Sequence, residues 1–421
     1  MLIVSLVMAS ALAFDAGADL RVRQEIVDHV PGVPYGVLGT PRAGGYRNHM
    51  RFRPRVWAEL KGDADEAGAW TLYARLADEF RWNVRPKNRC NVWPGEVILD
   101  NLYLGGKGIF GGFLDVKLGR QDLVGLAGLE RVFVDGTPGD GSRTIYSDVA
   151  SVRFHVTETS TLDVFGLYNF DSNGDFRLGD DARRIPSLVA RAPDGTHDQD
   201  DWGAGIVWGH SPVEWLNYQV FAVTKRMRDA HGTRDRADVL GARVQKNLSE
   251  TVKTDFDVMY QTAGQWSSFA GIGWKSAREG WKPTLGLDYR YMGPKWDPMW
   301  HRDAVDSESF LYGTHNGVAW WTNQHYLKIS AGAEFAPRHT VVVSSGPIFA
   351  AEPDGLGGGK GSFKGLLSRA CYSFPICVAD KAKGERFEVC GHVIGELFNP
   401  GDYYDTDKPA HFLRWQVEFR F

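Results

Sequence analysis

The chain has 421 residues, a formal net charge of −4 and four cysteines. This mild charge excludes a generally basic nucleic-acid-binding protein, and so few cysteines in so long a chain exclude a small disulfide-built scaffold. Mean hydropathy is −0.31 although aromatic residues reach 13%. That mixture is typical of β-barrels whose strands face water on one side and lipid on the other.

The first predicted element is a signal peptide over residues 1–13. These residues are almost entirely apolar and end in Ala11-Leu12-Ala13, the small-residue pattern of a signal peptidase site. The run is shorter than the roughly 20 apolar residues that span a bilayer as a helix. Because no Lys or Arg precedes it, a buried N-terminal strand remains the alternative. We therefore predict an exported protein with its mature domain over residues 14–421.

After this run the sequence predicts strands. Apolar and polar residues alternate with a period of two, in pieces separated by clusters of Gly, Asp, Asn and Pro. Eighteen candidate strands begin near residues 19, 50, 70, 96, 113, 146, 161, 201, 215, 237, 251, 268, 282, 323, 339, 362, 386 and 411. Bacterial single-chain barrels have an even number of strands. The prediction is an all-β fold, a single closed antiparallel transmembrane β-barrel of about 18 strands in the bacterial outer membrane.

The connections between the predicted strands alternate in length. Residues 157–160, 209–214, 247–250 and 336–338 are short connections, whereas residues 31–48, 124–144, 171–200 and 293–322 are long ones. Short periplasmic turns and long extracellular loops produce this alternation in outer-membrane barrels. Two connections depart from it, because residues 264–267 are few where a loop is expected and residues 374–385 are many where a turn is expected.

Arginine is concentrated on the polar face of the first three strands and of the last strand, which closes against the first. A barrel of 18 strands encloses a water-filled lumen, and the planar guanidinium group binds carboxylates through two hydrogen bonds. The alternation therefore predicts a basic lumen wall suited to an anionic solute. The alternative is that Arg21–Glu25 and Arg55–Glu59 are salt bridges that only brace the wall. The predicted lumen arginines are Arg21, Arg23, Arg51, Arg53, Arg55, Arg75, Arg290, Arg414 and Arg420.

Three pieces of sequence resemble the alginate export family of outer-membrane proteins. They are residues 119–123 (GRQDL), residues 135–144 (DGTPGDGSRT) and residues 391–398 (GHVIGELF). The last of these pieces precedes a closing strand that ends in a terminal Phe. The resemblance implies an 18-stranded barrel that exports a polyuronate through an electropositive constriction, assisted by periplasmic partners. It also implies solute-contacting roles for Arg120, Gln121 and Arg143.

The remaining motifs predict no metal site and no cofactor. Residues 171–175 begin like a calcium loop, but Phe176 and Ala182 occupy the Gly and Glu positions of an EF-hand. A looser Ca²⁺ site in this loop remains an alternative. The cysteines at 371, 377 and 390 lack the spacing of a metal site. They are either inert wall residues or partly paired in an oxidising compartment.

Together these patterns predict an outer-membrane channel for anionic solutes such as acidic saccharides. Its predicted partners are outer-membrane lipid, the solute and periplasmic export proteins, without nucleic acid. No Ser/His/Asp arrangement is brought together by alternation, so we predict that the chain is not an enzyme. Two other classes remain alternatives, an exported carbohydrate-binding β-protein and an outer-membrane enzyme.

Overall fold

The predicted alternation forms strands along the whole chain. The computed structural model describes residues 12–29, 46–64, 68–78, 80–85, 97–121, 126–129, 131–133, 147–169, 200–228, 234–262, 264–278, 280–297, 299, 311, 322–353, 359–379 and 386–421. The strands of the first half are β1 (Leu12–Asp28), β2 (Arg47–Ala64), β3 (Gly68–Ala77), β4 (Phe80–Arg85), β5 (Ile98–Gly108), β6 (Leu114–Gln121), β7 (Ser147–Thr157), β8 (Ser160–Asn169) and β9 (Asp200–Val213). Those of the second half are β10 (Leu216–Arg228), β11 (Arg234–Asn247), β12 (Val252–Gln261), β13 (Gln265–Lys275), β14 (Lys282–Met292), β15 (Gln324–Ala336), β16 (His339–Phe349), β17 (Phe363–Cys377), β18 (Glu388–Pro400) and β19 (Ala410–Arg420). A single helical turn, Ile109–Gly112, joins β5 to β6.

The strands form one antiparallel sheet that closes on itself. From β6 onwards each strand pairs with its sequence neighbours, β3 pairs with β2 and β5, and β1 pairs with both β2 and β19. The segments β3 and β4 pair with successive parts of β2, so together they take one place in an 18-strand barrel. This confirms the predicted fold. Apart from the first strand, the predicted starts lie within three residues of those observed.

Two details of the first strands were not predicted. The break between β3 and β4 lies where Pro54 occurs in β2, and the Asp78 N–H donates to the Pro54 carbonyl at 3.1 Å. Proline has no N–H to donate to a sheet ladder, which accounts for an interruption at this point. In addition, β1 begins at Leu12, just inside the predicted signal peptide. Residues 1–11 lie outside the described part of the chain, so the signal peptide remains a prediction.

The outer face of the barrel is apolar. Its side chains are large, hydrophobic and well exposed, and they alternate along the strands with inward polar residues. Examples are Val56, Leu72, Leu104, Val220, Leu240, Phe256, Ile272, Leu285, Ile329 and Leu413. An exposed apolar surface of this extent is typical of a face that contacts lipid. Among the described residues, no helix is long and apolar enough to cross a membrane.

The buried hydrophobic core lies inside the barrel. Residues 126–129 and 131–133, from the connection between β6 and β7, contribute Ala127, Leu129, Val132 and Phe133 to a cluster with inward side chains of β7 to β12. One contact in it is the edge-on packing of Phe133 against Phe165, with ring centroids 5.2 Å apart. We call residues 126–129 and 131–133 the inward segment. Part of the lumen is therefore filled by chain from a connection rather than by wall side chains alone.

Candidate functional site

A buried ion cluster lies where the first and last strands meet. Glu25, which is 0% exposed, accepts hydrogen bonds from Arg23 at 3.2 Å and from Arg414 at 2.8 Å. Its other oxygen contacts His49 Nε2 at 2.8 Å and Arg51 Nε at 3.1 Å. We call these five residues the Glu25 cluster. A single buried carboxylate thus receives three guanidinium groups of the described residues.

The register of β1 and β2 places arginines directly opposite one another. Arg21 is the cross-strand partner of Arg53, and Arg23 is that of Arg51. Like charges opposite each other in a sheet are destabilising, so bracing alone does not account for this arrangement. We use the name arginine wall for six of the arginines on these three adjoining strands. The arginine wall comprises Arg21, Arg23, Arg51, Arg53, Arg55 and Arg414.

Salt bridges do brace the wall, but their partners differ from those that the sequence suggested. Arg55 binds Asp19, with Nε 2.9 Å from both carboxylate oxygens. Glu59 instead pairs with Lys61 at 2.6 Å. Spacing by four residues along a strand is a weak guide to ion pairs here, because Arg55 binds its partner Asp19 across the sheet.

One residue of the alginate-export motif does not face the lumen. Arg120 lies opposite Leu102, which is exposed on the outer face, and its Nε binds Asp148 at 3.0 Å. Successive side chains of a strand point to opposite faces, so Arg120 and Gln121 cannot both line the lumen. Gln121 is the inward residue and borders a cavity of about 220 Å³ beside the inward segment. The predicted lumen role of Arg120 is therefore wrong.

The other predicted residues are spread around the barrel. Arg75 binds Asp100 with Nε 2.9 Å from Oδ1. Arg420 contacts Glu418 at 3.2 Å near the chain end, and Arg290 is buried on β14 opposite Phe269. Arg143 lies outside the described residues. The structure thus brings the arginines of β1, β2 and β19 together, whereas Arg290 belongs to another part of the wall.

An arginine of the inward segment anchors that segment to a distant part of the barrel, which the sequence did not predict. Arg131 contacts Asp257 at 2.5 Å and Asp255 at 2.9 Å, both on β12. Its guanidinium carbon lies 3.7 Å from the centre of the Phe269 ring. Arg243 binds Asp255 at 2.7 Å and the Gly128 carbonyl at 3.0 Å. Apart from the Arg243–Asp255 pair, these contacts join residues more than a hundred positions apart, so no local pattern identifies them.

An aromatic row also lines the lumen beside the arginine wall. Trp57 of β2 stacks on Tyr73 of β3 with ring centroids 6.2 Å apart, and Tyr73 stacks on Tyr103 of β5 at 5.1 Å. Lys117 of β6 lies 4.0 Å from the Tyr103 ring centre. We call Trp57, Tyr73 and Tyr103 the aromatic row. Their sequence neighbours Val56 and Leu72 are exposed on the outer face, so alternation along the strand places the aromatic row on the lumen face. The inward placement of these three residues could therefore be predicted from the sequence.

Cysteines and one serine–histidine pair occupy the wall formed by β17 and β18. Cys371, Cys377 and Cys390 are free thiols. Ser373 Oγ lies 2.9 Å from His392 Nδ1, and the two residues are direct cross-strand partners. This pair is consequently a hydrogen bond between neighbouring positions of the wall.

Comparison with known proteins identifies the fold through structure rather than sequence. No family model matches the chain, and no curated protein matches it. Among solved structures, Pseudomonas aeruginosa OccK11 (OpdR) aligns over 97% of this chain and 96% of its own, with a TM-score of 0.56 at 10% identity. OccK7 (OpdD) of the same organism aligns over 97% and 98%, with a TM-score of 0.55 at 12% identity. The outer membrane protein OprD from Pseudomonas aeruginosa aligns over 96% and 93%, with a TM-score of 0.53 at 9% identity.

The fold is therefore that of porin-type channels of the bacterial outer membrane. Both the closed barrel and the lipid-facing outer surface agree with this class. Identity of 9–12% with these proteins extends the likeness to the fold alone. Membership of the alginate export family and the identity of the solute are finer assignments that the fold alone does not make.

Proposed function

We propose that the chain is an outer-membrane channel that passes anionic solutes, with acidic saccharides as the solute class. The observation that carries this proposal is the arginine wall. Its six arginines lie on the lumen side of three adjoining strands, beside the carboxylates of Asp19, Glu25 and Glu418. A passing carboxylate would be attracted by their positive charge.

Two further features support the choice of solute and the direction of transport. The resemblance of residues 119–123 and 391–398 to the alginate export family favours a uronate-bearing saccharide. By the same resemblance, the channel works with periplasmic export partners. Of the two motif residues on β6, Gln121 is the one that could contact a solute in the lumen, since Arg120 lies on the outer face.

The predicted signal peptide completes the proposal. Cleavage after Ala13 would remove two residues from the described part of β1, which has 17 residues. Mass spectrometry of the protein purified from outer membranes tests this, with a mature N-terminus at Phe14 as the expected result. An N-terminus at Met1 would contradict it.

The test of selectivity is the reversal potential of the refolded channel in a planar bilayer under a KCl gradient. We expect the unmodified channel to prefer chloride. The double variant Arg21→Gln/Arg53→Gln removes a directly opposed pair of arginines and should move the reversal potential towards zero. Arg51 and Arg55 are kept, because they bind Glu25 and Asp19 and their loss would strand a carboxylate. Glu418, which lies opposite Arg21, keeps its contact with Arg420 in this variant.

The matched control is Arg120→Gln, which removes an arginine from the outer face and should leave the reversal potential unchanged. An unmodified channel that prefers potassium would overturn the proposal. So would an equal shift for the control and the double variant.

A further inference from the structure

We propose that Trp57 is a stacking platform for the pyranose ring of an acidic saccharide as it passes the lumen wall. This inference rests on the proposed anion channel and deepens it. The arginine wall recognises charge, whereas Trp57 would recognise the ring that carries the charge.

Gly17 gives Trp57 its orientation. The two residues are cross-strand partners on β1 and β2, and a Cβ atom on Gly17 would lie 2.7 Å from Trp57 Cζ2. The indole therefore lies over the bare glycine on the lumen side of the sheet, and Trp57 is only partly buried. Tyr73 stacks beside it with an interplanar angle of 19°, which fixes this orientation.

Charged groups flank the indole on two sides. Arg55 precedes Trp57 by two positions on the same face and is held by Asp19. Arg75 is the cross-strand partner of Trp57 and is held by Asp100, with Nε 2.9 and 3.1 Å from the two oxygens. Each guanidinium is thus fixed in position beside the ring, rather than free to rotate.

This combination matches a pyranose ring that bears a carboxylate. Binding sites for small solutes combine aromatic surface with a few well-placed polar groups. A sugar ring presents a C–H face to an indole, while its hydroxyl and carboxylate groups at the rim reach the flanking guanidinium groups. An acyclic acid of equal charge can use the guanidinium groups but has no ring to stack.

The experiment compares D-glucuronate with D-gluconate, which has the same charge and no ring in solution. The concentration of each that half-blocks the chloride current is measured in a planar bilayer. We expect glucuronate to block the unmodified channel at the lower concentration. Trp57→Leu should weaken the glucuronate block about tenfold and bring it to the level of gluconate, while the reversal potential stays unchanged. Trp57→Phe keeps a smaller ring and should lose less.

The matched control is Trp415→Leu, on the outer face, which should alter neither block. If Trp57→Leu leaves the glucuronate block unchanged in a chloride-selective channel, the platform is overturned and the anion channel stands. Equal block by glucuronate and gluconate in the unmodified channel would likewise overturn the platform and leave the anion channel standing. A channel without chloride preference overturns the proposed function instead. Should the leucine variant fail to fold, Trp57→Phe decides, because an unchanged glucuronate block in it contradicts the platform.

Discussion

At the scale of single residues, Glu25 is a tightly held group of the lumen wall. It is fully buried and accepts from Arg23, Arg51 and Arg414, so its charge offsets that of the guanidinium groups around it. Removing one partner from a buried ion pair is costly, because the remaining charges lose their compensation.

We therefore expect Glu25→Gln to lower the free energy of unfolding by about 3–5 kcal/mol. Urea unfolding of the refolded barrel in detergent, followed by tryptophan fluorescence, measures this. Asp148→Asn is the control, since it breaks the partly exposed outer pair with Arg120 and should cost less than about 1 kcal/mol. Equal losses in the two variants would show that the Glu25 cluster has no special role in stability.

At the scale of elements, the inward segment fills part of the lumen. It is held by apolar packing of Phe133 on Phe165 and by the bonds of Arg131 to Asp255 and Asp257. Without Arg131, the segment loses its own attachment to β12 and keeps its packing and the hydrogen bond from Arg243 to the Gly128 carbonyl.

The double variant Arg131→Gln/Asp257→Asn should raise single-channel conductance, because the segment can then move away from its position in the lumen. Asp257 is changed together with Arg131 so that no buried carboxylate is left without its cation. Arg153→Gln is the control, since Arg153 pairs with Asp163 within the wall and holds no connection in place. Unaltered conductance in the double variant would mean that packing and the Arg243–Gly128 hydrogen bond are enough to fix the segment.

At the scale of the whole molecule, the barrel has an inverted polarity, apolar outside and charged inside. Two neighbouring residues of β15 illustrate this polarity. Ile329 is 61% exposed on the outer face, whereas Ser330 lies on the lumen face beside its cross-strand partner Gly286 of β14. We expect Ile329→Arg to destabilise the bilayer-inserted barrel by about 2–4 kcal/mol, measured by urea titration in liposomes. Ser330→Arg should be tolerated better, and the reverse order would contradict the assigned faces.

The sequence was sufficient for the architecture and for one side of the lumen. A period of two fixes which face each residue occupies, so the inward placement of Arg21, Arg51 and Arg414 followed once strands were assigned. Partner choice did not follow, because the bonds of Glu25 to Arg51 and Arg414 depend on the register across the sheet. The anchoring of Arg131 was equally hidden, since the path of a long connection has no periodic pattern.

The break between β3 and β4 shows a third kind of limit. Pro54 could be read in the sequence, but its effect falls on the neighbouring strand, near Asp78. The predicted lumen role of Arg120 was wrong for a different reason. The family motif was transferred as a unit, although its adjacent residues Arg120 and Gln121 point to opposite faces of the sheet. Alternation alone would have excluded it.

The position of the Glu25 cluster at the seam also has a consequence for folding. Glu25 and Arg414 are separated by 389 positions in sequence, and contacts between the ends of a chain are entropically the most expensive to form. Until β19 arrives, Glu25 lacks the guanidinium of Arg414. Completion of the ion cluster therefore coincides with ring closure, and a sheet that is open at this edge exposes an under-compensated carboxylate together with unpaired strand edges. The seam consequently favours the finished ring over partly assembled sheets.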